Sequence, residues 1–158
     1  MERLDKTDFK ILQLLQENSN YTIKEIAKAT NLSITPIHER IKRLENDKII
    51  EKYTAILNKK MFGKWLQVHC QVTLDKQTQQ NFTEFEMAIR NFSEVVECSV
   101  VSGGFDYLLK VLVEDMDQYN LFYQSKLAVI ESVAHINSFF VMKEVKNLVE
   151  LPLNRWIG

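Results

Sequence analysis

The sequence predicts an α+β chain in two parts, a small helical bundle followed by a domain in which strands and helices interleave. Three observations carry this. Up to about residue 50 apolar residues recur at helical spacing; beyond residue 63 they alternate or run in strand-like blocks; and the two parts differ in charge. Residues 1–60 hold 12 Lys and Arg against 9 Asp and Glu, residues 61–158 hold 8 against 12, and the net charge of the 158-residue chain is −1.

Composition excludes several classes. With 46% hydrophobic, 26% charged and 10% aromatic residues and only 4 Gly and 2 Pro, the chain is that of a globular protein, not a disordered one. No run reaches the roughly 18 apolar residues of a membrane span, and MERLDKTDFK is too charged for a secretory signal, so a cytoplasmic protein without membrane partners is expected. Cys70 and Cys98 stand at no metal-ligating spacing and are expected as buried thiols on strands. No metal site, catalytic group or cofactor is expected, because no Ser/His/Asp or Cys/His spacing and no phosphate-loop pattern occurs.

The first helix follows from Leu4, Phe9, Ile11, Leu12, Leu14 and Leu15 and ends at Asn18–Asn20. Thr22 with Glu25 three residues later is a capping box, opening a second helix that presents Ile23, Ile26 and Ala27 and ends near Thr30. Asn31 then suits a tight connection that needs left-handed backbone. Pro36 marks the start of a third helix, because the first turn has N–H groups without intrahelical acceptors and a proline there loses nothing. Thr35 fits as its N-cap and Ser33, one turn earlier, fits as well. Ile37, Ile41 and Leu44 form its buried stripe; Thr35, Glu39, Lys42, Arg43 and Asn46 project to the far side, with His38 at the flank.

Two helices joined by so short a turn, the second carrying exposed cations, make a helix-turn-helix, winged-helix-like in overall character. Its ligand would be double-stranded DNA. Lys42 and Arg43 would neutralise phosphates, while Ser33, Thr35, Pro36, His38 and Glu39 would lie at the base edges. The plain alternative is a solvated face with Lys42 and Arg43 pairing with Glu39 and Asn46.

After Ile50 the period changes. YTAIL at 53–57 reads as a short strand and NKKMFG at 58–63 as a connection, so the domains are expected at 1–52 and 63–158, joined by a strand and linker at 53–62. KWLQVHCQVTL alternates, with Leu66, Val68, Cys70, Val72 and Leu74 on one face. Phe82, Phe85, Ile89 and Phe92 mark a helix. EVVECSVV and FDYLLKVLV are strands separated by SGG, Asp115 with Gln118 caps a helix bearing Tyr119, Phe122, Tyr123, Leu127 and Ile130, and VAHINSFFVMKEV returns to strand. The order β-α-β-β-α-β is ferredoxin-like. Helices then cover one sheet face only, leaving Leu108 and Leu112 on the other, and a second copy of the chain is the economical cover.

The stretch VSGGFDYLLKV holds two consecutive glycines. Their plain role is a turn with positive φ. Their functional role would be to let a ligand approach backbone N–H groups, so that Ser102, Gly103, Gly104 and Phe105 take a carboxylate, Asp106 takes an amine, Tyr107 borders the site, and Asn137 and Ser138 complete it within the chain or across a dimer. An α-amino acid carries both groups.

With these motifs in hand, the chain resembles the Lrp/AsnC family of feast/famine transcription regulators. LDKTDFKILQLLQEN is similar to the family's opening helix at Leu4, Asp5, Asp8, Ile11, Leu12 and Leu15; Leu32, Ser33, Thr35 and Pro36 resemble its Leu-Ser-x-Thr-Pro entry; Gly103, Asp106 and Tyr107 resemble its ligand-loop motif. The resemblance implies an N-terminal DNA-binding domain, a C-terminal effector-binding and oligomerisation domain, homodimers that often assemble as octamers of four dimers, and control by a small amino-acid effector. Three places depart from the pattern. Lys48 stands where the family commonly has Gly after the recognition helix, Glu131-Ser132-Val133 replaces Pro-Gly-Val, and Ile136-Asn137-Ser138 replaces Thr-x-Thr. Sirohaem decarboxylases resemble the family in fold, which makes a catalytic use of His69 or His135 the alternative reading; an amino-acid sensor without DNA binding is the third.

Overall fold

In the computed structural model, which describes residues 4–147 and 151–153, the chain forms two units: residues up to Ile56 together with the segment from Lys146, and Leu57–Val145. Of the residues after Val145, the described ones, 146–147 and 151–153, group with the helical unit.

The helical unit contains α1 (Lys6–Glu17), α2 (Ile23–Thr30) and α3 (Ile34–Asn46). Asp5 and Asp8 form a capping box at the start of α1, and Thr22 with Glu25 forms the expected one at α2, where the Thr22 N–H donates to Glu25 Oε2 at 2.7 Å. That bond and the Thr22 hydroxyl hold the Glu25 carboxyl below its ordinary pKa. Ile11, Ile26, Ala27, Ile37 and Leu44 are the buried core, with Ile41, Ile49 and Ile50 packed at its edge.

Helices α2 and α3 end in the same motif. At α2 the Leu32 N–H donates to Ala27 O at 3.0 Å around Asn31, whose φ is 56°, as its sequence suits. At α3 the Ile49 N–H donates to Leu44 O at 2.9 Å and the Lys48 N–H to Glu45 O at 3.1 Å, so Lys48 takes the left-handed position with φ 58°. Lysine here does what glycine does at lower conformational cost, and the helix end keeps its geometry despite the departure.

The expected strand at 53–57 is not formed. Residues 51–58 have no regular structure, and Ile56 is 78% exposed. A strand exists only against a ladder partner, and the described residues offer this segment none. Tyr53 is tied back instead: its hydroxyl donates to Glu45 Oε1 at 2.9 Å, and burial together with that carboxylate pushes its pKa up to about 12. At the other end of the chain, Gln16 grips the backbone of Leu151, accepting its N–H at 2.8 Å and donating to its carbonyl at 3.3 Å, and Leu153 is buried.

The second unit follows the expected order: a 3-10 turn (Lys59–Phe62), β1 (Leu66–Leu74), α4 (Gln79–Arg90), β2 (Val95–Val100), β3 (Tyr107–Val113), α5 (Met116–Phe122) and β4 (Val133–Phe140). The antiparallel sheet runs β2-β3-β1-β4. Val68, Cys70 and Val72 of β1 and Tyr107, Leu109 and Val111 of β3 pack with Phe85 and Ile89 of α4 and Tyr119 and Phe122 of α5. The expected single helix after Asp115 widens into a π turn at Tyr123–Leu127, in which the Ala128 N–H reaches Tyr123 O at 2.8 Å; Leu127 and Ile130 stay buried across it. Cys98, expected buried, is exposed on edge strand β2, whereas Cys70 is buried.

Candidate nucleic-acid interface and effector loop

Ser33 is the N-cap of α3, so Pro36 is the third helical residue, still within the first turn where no hydrogen bond is lost. An N-cap hydroxyl normally accepts from the N–H two or three residues on, and the third position here is proline, which has none. That removes one of the two available donors, and the Ser33 side chain makes no capping bond to the other, the Thr35 N–H. Ser33, Thr35, His38, Glu39 and Lys42 are exposed and Pro36 is half-buried. Together they give α3 one polar, partly cationic face.

Arg43, expected on that face, is turned toward α1. Its Nη2 lies 2.6 Å from Asp8 Oδ2, Arg40 Nη1 lies 2.7 Å from Asp8 Oδ1, and the same Arg40 nitrogen lies 2.7 Å from Asp5 Oδ2. Asp8 is fully buried. Its Oδ2 also accepts the Asp5 N–H at 3.0 Å, and its own N–H donates to Asp5 Oδ1 at 2.8 Å. One carboxylate thus closes the cap of α1 and binds two guanidiniums of α3 through charge-assisted bonds. Burial works against ionisation of Asp5, but the Asp8 N–H and Arg40 outweigh it and its pKa falls; Asp8, seconded by Asp5, holds Arg40 the more firmly protonated. Neither Asp8 as a brace nor Arg40 was expected. The signal existed: Leu4, Asp8, Ile11 and Leu15 share the i, i+4, i+7, i+11 stripe, and a carboxylate on an apolar stripe requires a partner.

In the second unit, Gly103 (φ 153°) and Gly104 sit at the exposed tip of the loop between β2 and β3, and a Cβ at either would meet no atom within 4 Å. Among the described residues the backbone N–H groups of Ser102, Gly103, Gly104 and Phe105 make no backbone bond, while the neighbouring Val101 N–H donates to Asp106 O at 3.0 Å. Asp106 is buried with both oxygens engaged by its own chain: Oδ2 accepts the Leu74 N–H at 2.8 Å and Oδ1 accepts Gln77 Nε2 at 2.8 Å. The Tyr107 ring is buried against Phe85, centroids 4.5 Å apart, and its hydroxyl donates to Glu86 at 3.1 Å. Burial, then Glu86, raise its pKa.

Asn137 and Ser138 do not meet this loop in the single chain. β1 lies between β3 and β4, about 10 Å across two strand spacings. As neighbours in a strand they also face opposite ways. Ser138, opposite Cys70, joins a core network through Tyr119, with Oγ–OH 2.5 Å and Tyr119 OH–Cys70 Sγ 3.4 Å. Asn137, opposite Gln71, lies on the open face and bonds His135 at 3.1 Å. That face also carries Phe139 opposite His69 and the half-buried Leu108 and Leu112. Ser132, at the altered Pro-Gly-Val position, is buried and its hydroxyl has no partner among the described residues. Among those residues no group of His, Cys, Asp and Glu could hold a metal ion, and no helix is long and apolar enough to cross a membrane.

Known families and structures match both units. Residues 4–51 match the family described as winged helix-turn-helix DNA-binding, and residues 67–151 match the Lrp/AsnC ligand binding domain. The leucine-responsive regulatory protein of Haemophilus influenzae is 40% identical over 143 residues, 90% of this chain and 86% of that protein. A transcriptional regulator of Neisseria meningitidis, solved as its L-Met complex, superposes with a TM-score of 0.91 at 35% identity, covering 97% of this chain and 99% of that one. An AsnC family regulator of Agrobacterium tumefaciens superposes with a TM-score of 0.90 at 34% identity, covering 96% and 99%. A helix-turn-helix followed by a βαββαβ sheet with a glycine loop is thus matched along nearly the whole chain, which belongs to the Lrp/AsnC family of transcription regulators.

Proposed function

We propose that this protein is a cytoplasmic homo-oligomeric regulator that reads double-stranded DNA through α3 and takes a small amino acid at the loop after β2, with effector occupancy altering assembly and so DNA occupancy. The observation that carries the reading is the exposed face of α3, held in place from behind by Asp8. Lys42 neutralises a phosphate; Ser33, Thr35, His38 and Glu39 lie at base edges, with Pro36 fixing the helix entry. Arg43 acts mainly by orienting α3.

At the loop, the N–H groups of Ser102, Gly103, Gly104 and Phe105 receive the effector carboxylate, Asp106 braces the loop from beneath, and Tyr107 walls it from the core side. Asn137 reaches the site from a second copy, and Ser138 supports it through Tyr119. The complex of the Neisseria relative with L-Met supports an amino acid as the ligand class. Assembly begins with a homodimer that covers Leu108, Leu112 and Phe139 on the open face, and four such dimers close an octamer. No catalytic step or bound cofactor enters this reading.

The test is direct. Binding to genomic DNA fragments, measured with and without a panel of L-amino acids, should show site preference that at least one amino acid changes, and the same amino acid should raise the melting temperature. Linkage requires both effects to come from one compound. Binding to DNA that no amino acid alters, with no thermal shift, would remove the effector half of the proposal; absence of DNA binding under every condition would remove the other half.

A further inference from the structure

Ile34 is the first residue of α3. Its spacing from Ile37, Ile41 and Leu44 continues the buried stripe by one turn, yet Ile34 is 53% exposed while Ile37 and Leu44 are fully buried. It is not part of the helical core, makes no cap, and stands between Ser33 and Thr35 at the tip of the helix. A single exposed apolar side chain is unremarkable in itself. Its place is not: the N-terminal residues of a recognition helix are the ones that meet base edges in the major groove. The apolar group that a base pair presents there is the thymine 5-methyl. An isoleucine in a helix is nearly fixed at χ1, so packing against that methyl costs little side-chain entropy.

We propose that Ile34 reads a thymine 5-methyl group, an apolar specificity contact at the tip of α3, on the border between the buried stripe and the polar face and next to His38. The proposal rests on the DNA-binding reading above and extends it to a residue and a base. It accounts for an apolar side chain at the helix tip, and the cation at Lys42 could not supply the same discrimination, since phosphates carry no sequence.

The experiment uses the full chain. Duplexes are selected from a random pool with and without a mixture of L-amino acids, and each thymine of the selected duplex is replaced in turn by uracil, which lacks only the methyl. Wild type should lose about fourfold in affinity at one thymine position, the effect of uncovering one methyl group. Ile34→Ala should bind the thymine duplex about fourfold more weakly, fail to distinguish thymine from uracil at that position, and keep wild-type affinity for random-sequence duplex. Leu32→Ala should keep the discrimination. Wild type indifferent to every uracil, or Ile34→Ala retaining the full difference, overturns the inference while leaving DNA binding intact. Enrichment of no duplex overturns both.

Discussion

Lys42 and Arg43 are adjacent cations on α3, and the structure gives them different surroundings. Lys42 is exposed with no ion-pair partner among the described residues; Arg43 is 2.6 Å from a carboxylate whose side chain is 1% exposed. Each phosphate contact contributes about 0.9 to the slope of log K against log salt. Lys42→Ala should flatten that slope by about 0.9 and leave the urea midpoint unchanged. Arg43→Ala should leave the slope nearly intact and destabilise the helical unit by about 2 kcal/mol, the loss of one charge-assisted bond to a buried carboxylate. The cost stays below the 3–5 kcal/mol of a fully buried pair, because Arg40 still serves Asp8 and Arg43 is 30% exposed. Asp8→Ala, which strands both guanidiniums and opens the α1 cap, should cost about 3 kcal/mol. The assays are fluorescence anisotropy on a labelled duplex from 50 to 300 mM salt (about the usable range) and urea unfolding by far-ultraviolet circular dichroism at fixed protomer concentration. Equal slope losses for Lys42→Ala and Arg43→Ala, with both proteins as stable as wild type, would refute the division of labour.

Three further outcomes are expected. Lys48→Gly should raise stability by about 1 kcal/mol in urea unfolding, since glycine takes the left-handed position at φ 58° without the penalty of a side chain. Asp106→Ala should lower the stability of the sheet unit by about 2 kcal/mol, because it leaves the buried Leu74 N–H without its acceptor, and it should also erase any effector-induced thermal shift; a stable variant would show that Asp106 does not brace the loop. Stability should fall on acidification. Burial pushes the Glu94 carboxyl up, but Lys126, its own backbone N–H and Ser93 together outweigh it and hold the pKa below the ordinary carboxylate value, and the Asp5 carboxyl is likewise held down. A depressed folded-state pKa gives stability that is complete above the unfolded value and is lost as pH drops through the folded one, so melting temperature should be level near pH 6 and decline below about pH 4.5. Glu94→Gln should soften that decline.

Local features were legible because their causes are local. The Thr22–Glu25 box, the Asp115 cap, the left-handed Asn31 and the alternation of β1 each depend on residues a few positions apart. The ion pairs of Arg40 and Arg43 span 32 to 35 positions and exist only once α1 packs on α3, so helical projection placed Arg43 with Lys42. The segment 53–57 has strand composition, but composition supplies no ladder partner. Asn137 and Ser138 are a different case: adjacent residues in a strand always face apart, and the period of two was enough to separate them. In the loop between β2 and β3 the glycines were legible as an exposed turn, whereas the engagement of Asp106 with Leu74 and Gln77 depends on where β1 ends.

The grip of Gln16 on Leu151 bears on how the molecule can be divided. Because Leu153 contributes to the helical unit, the sheet is an insertion between two stretches of that unit and not an appendage to it. A fragment cut after Ile56 would lack the Leu151 backbone that Gln16 holds, and with it two hydrogen bonds of the helical unit.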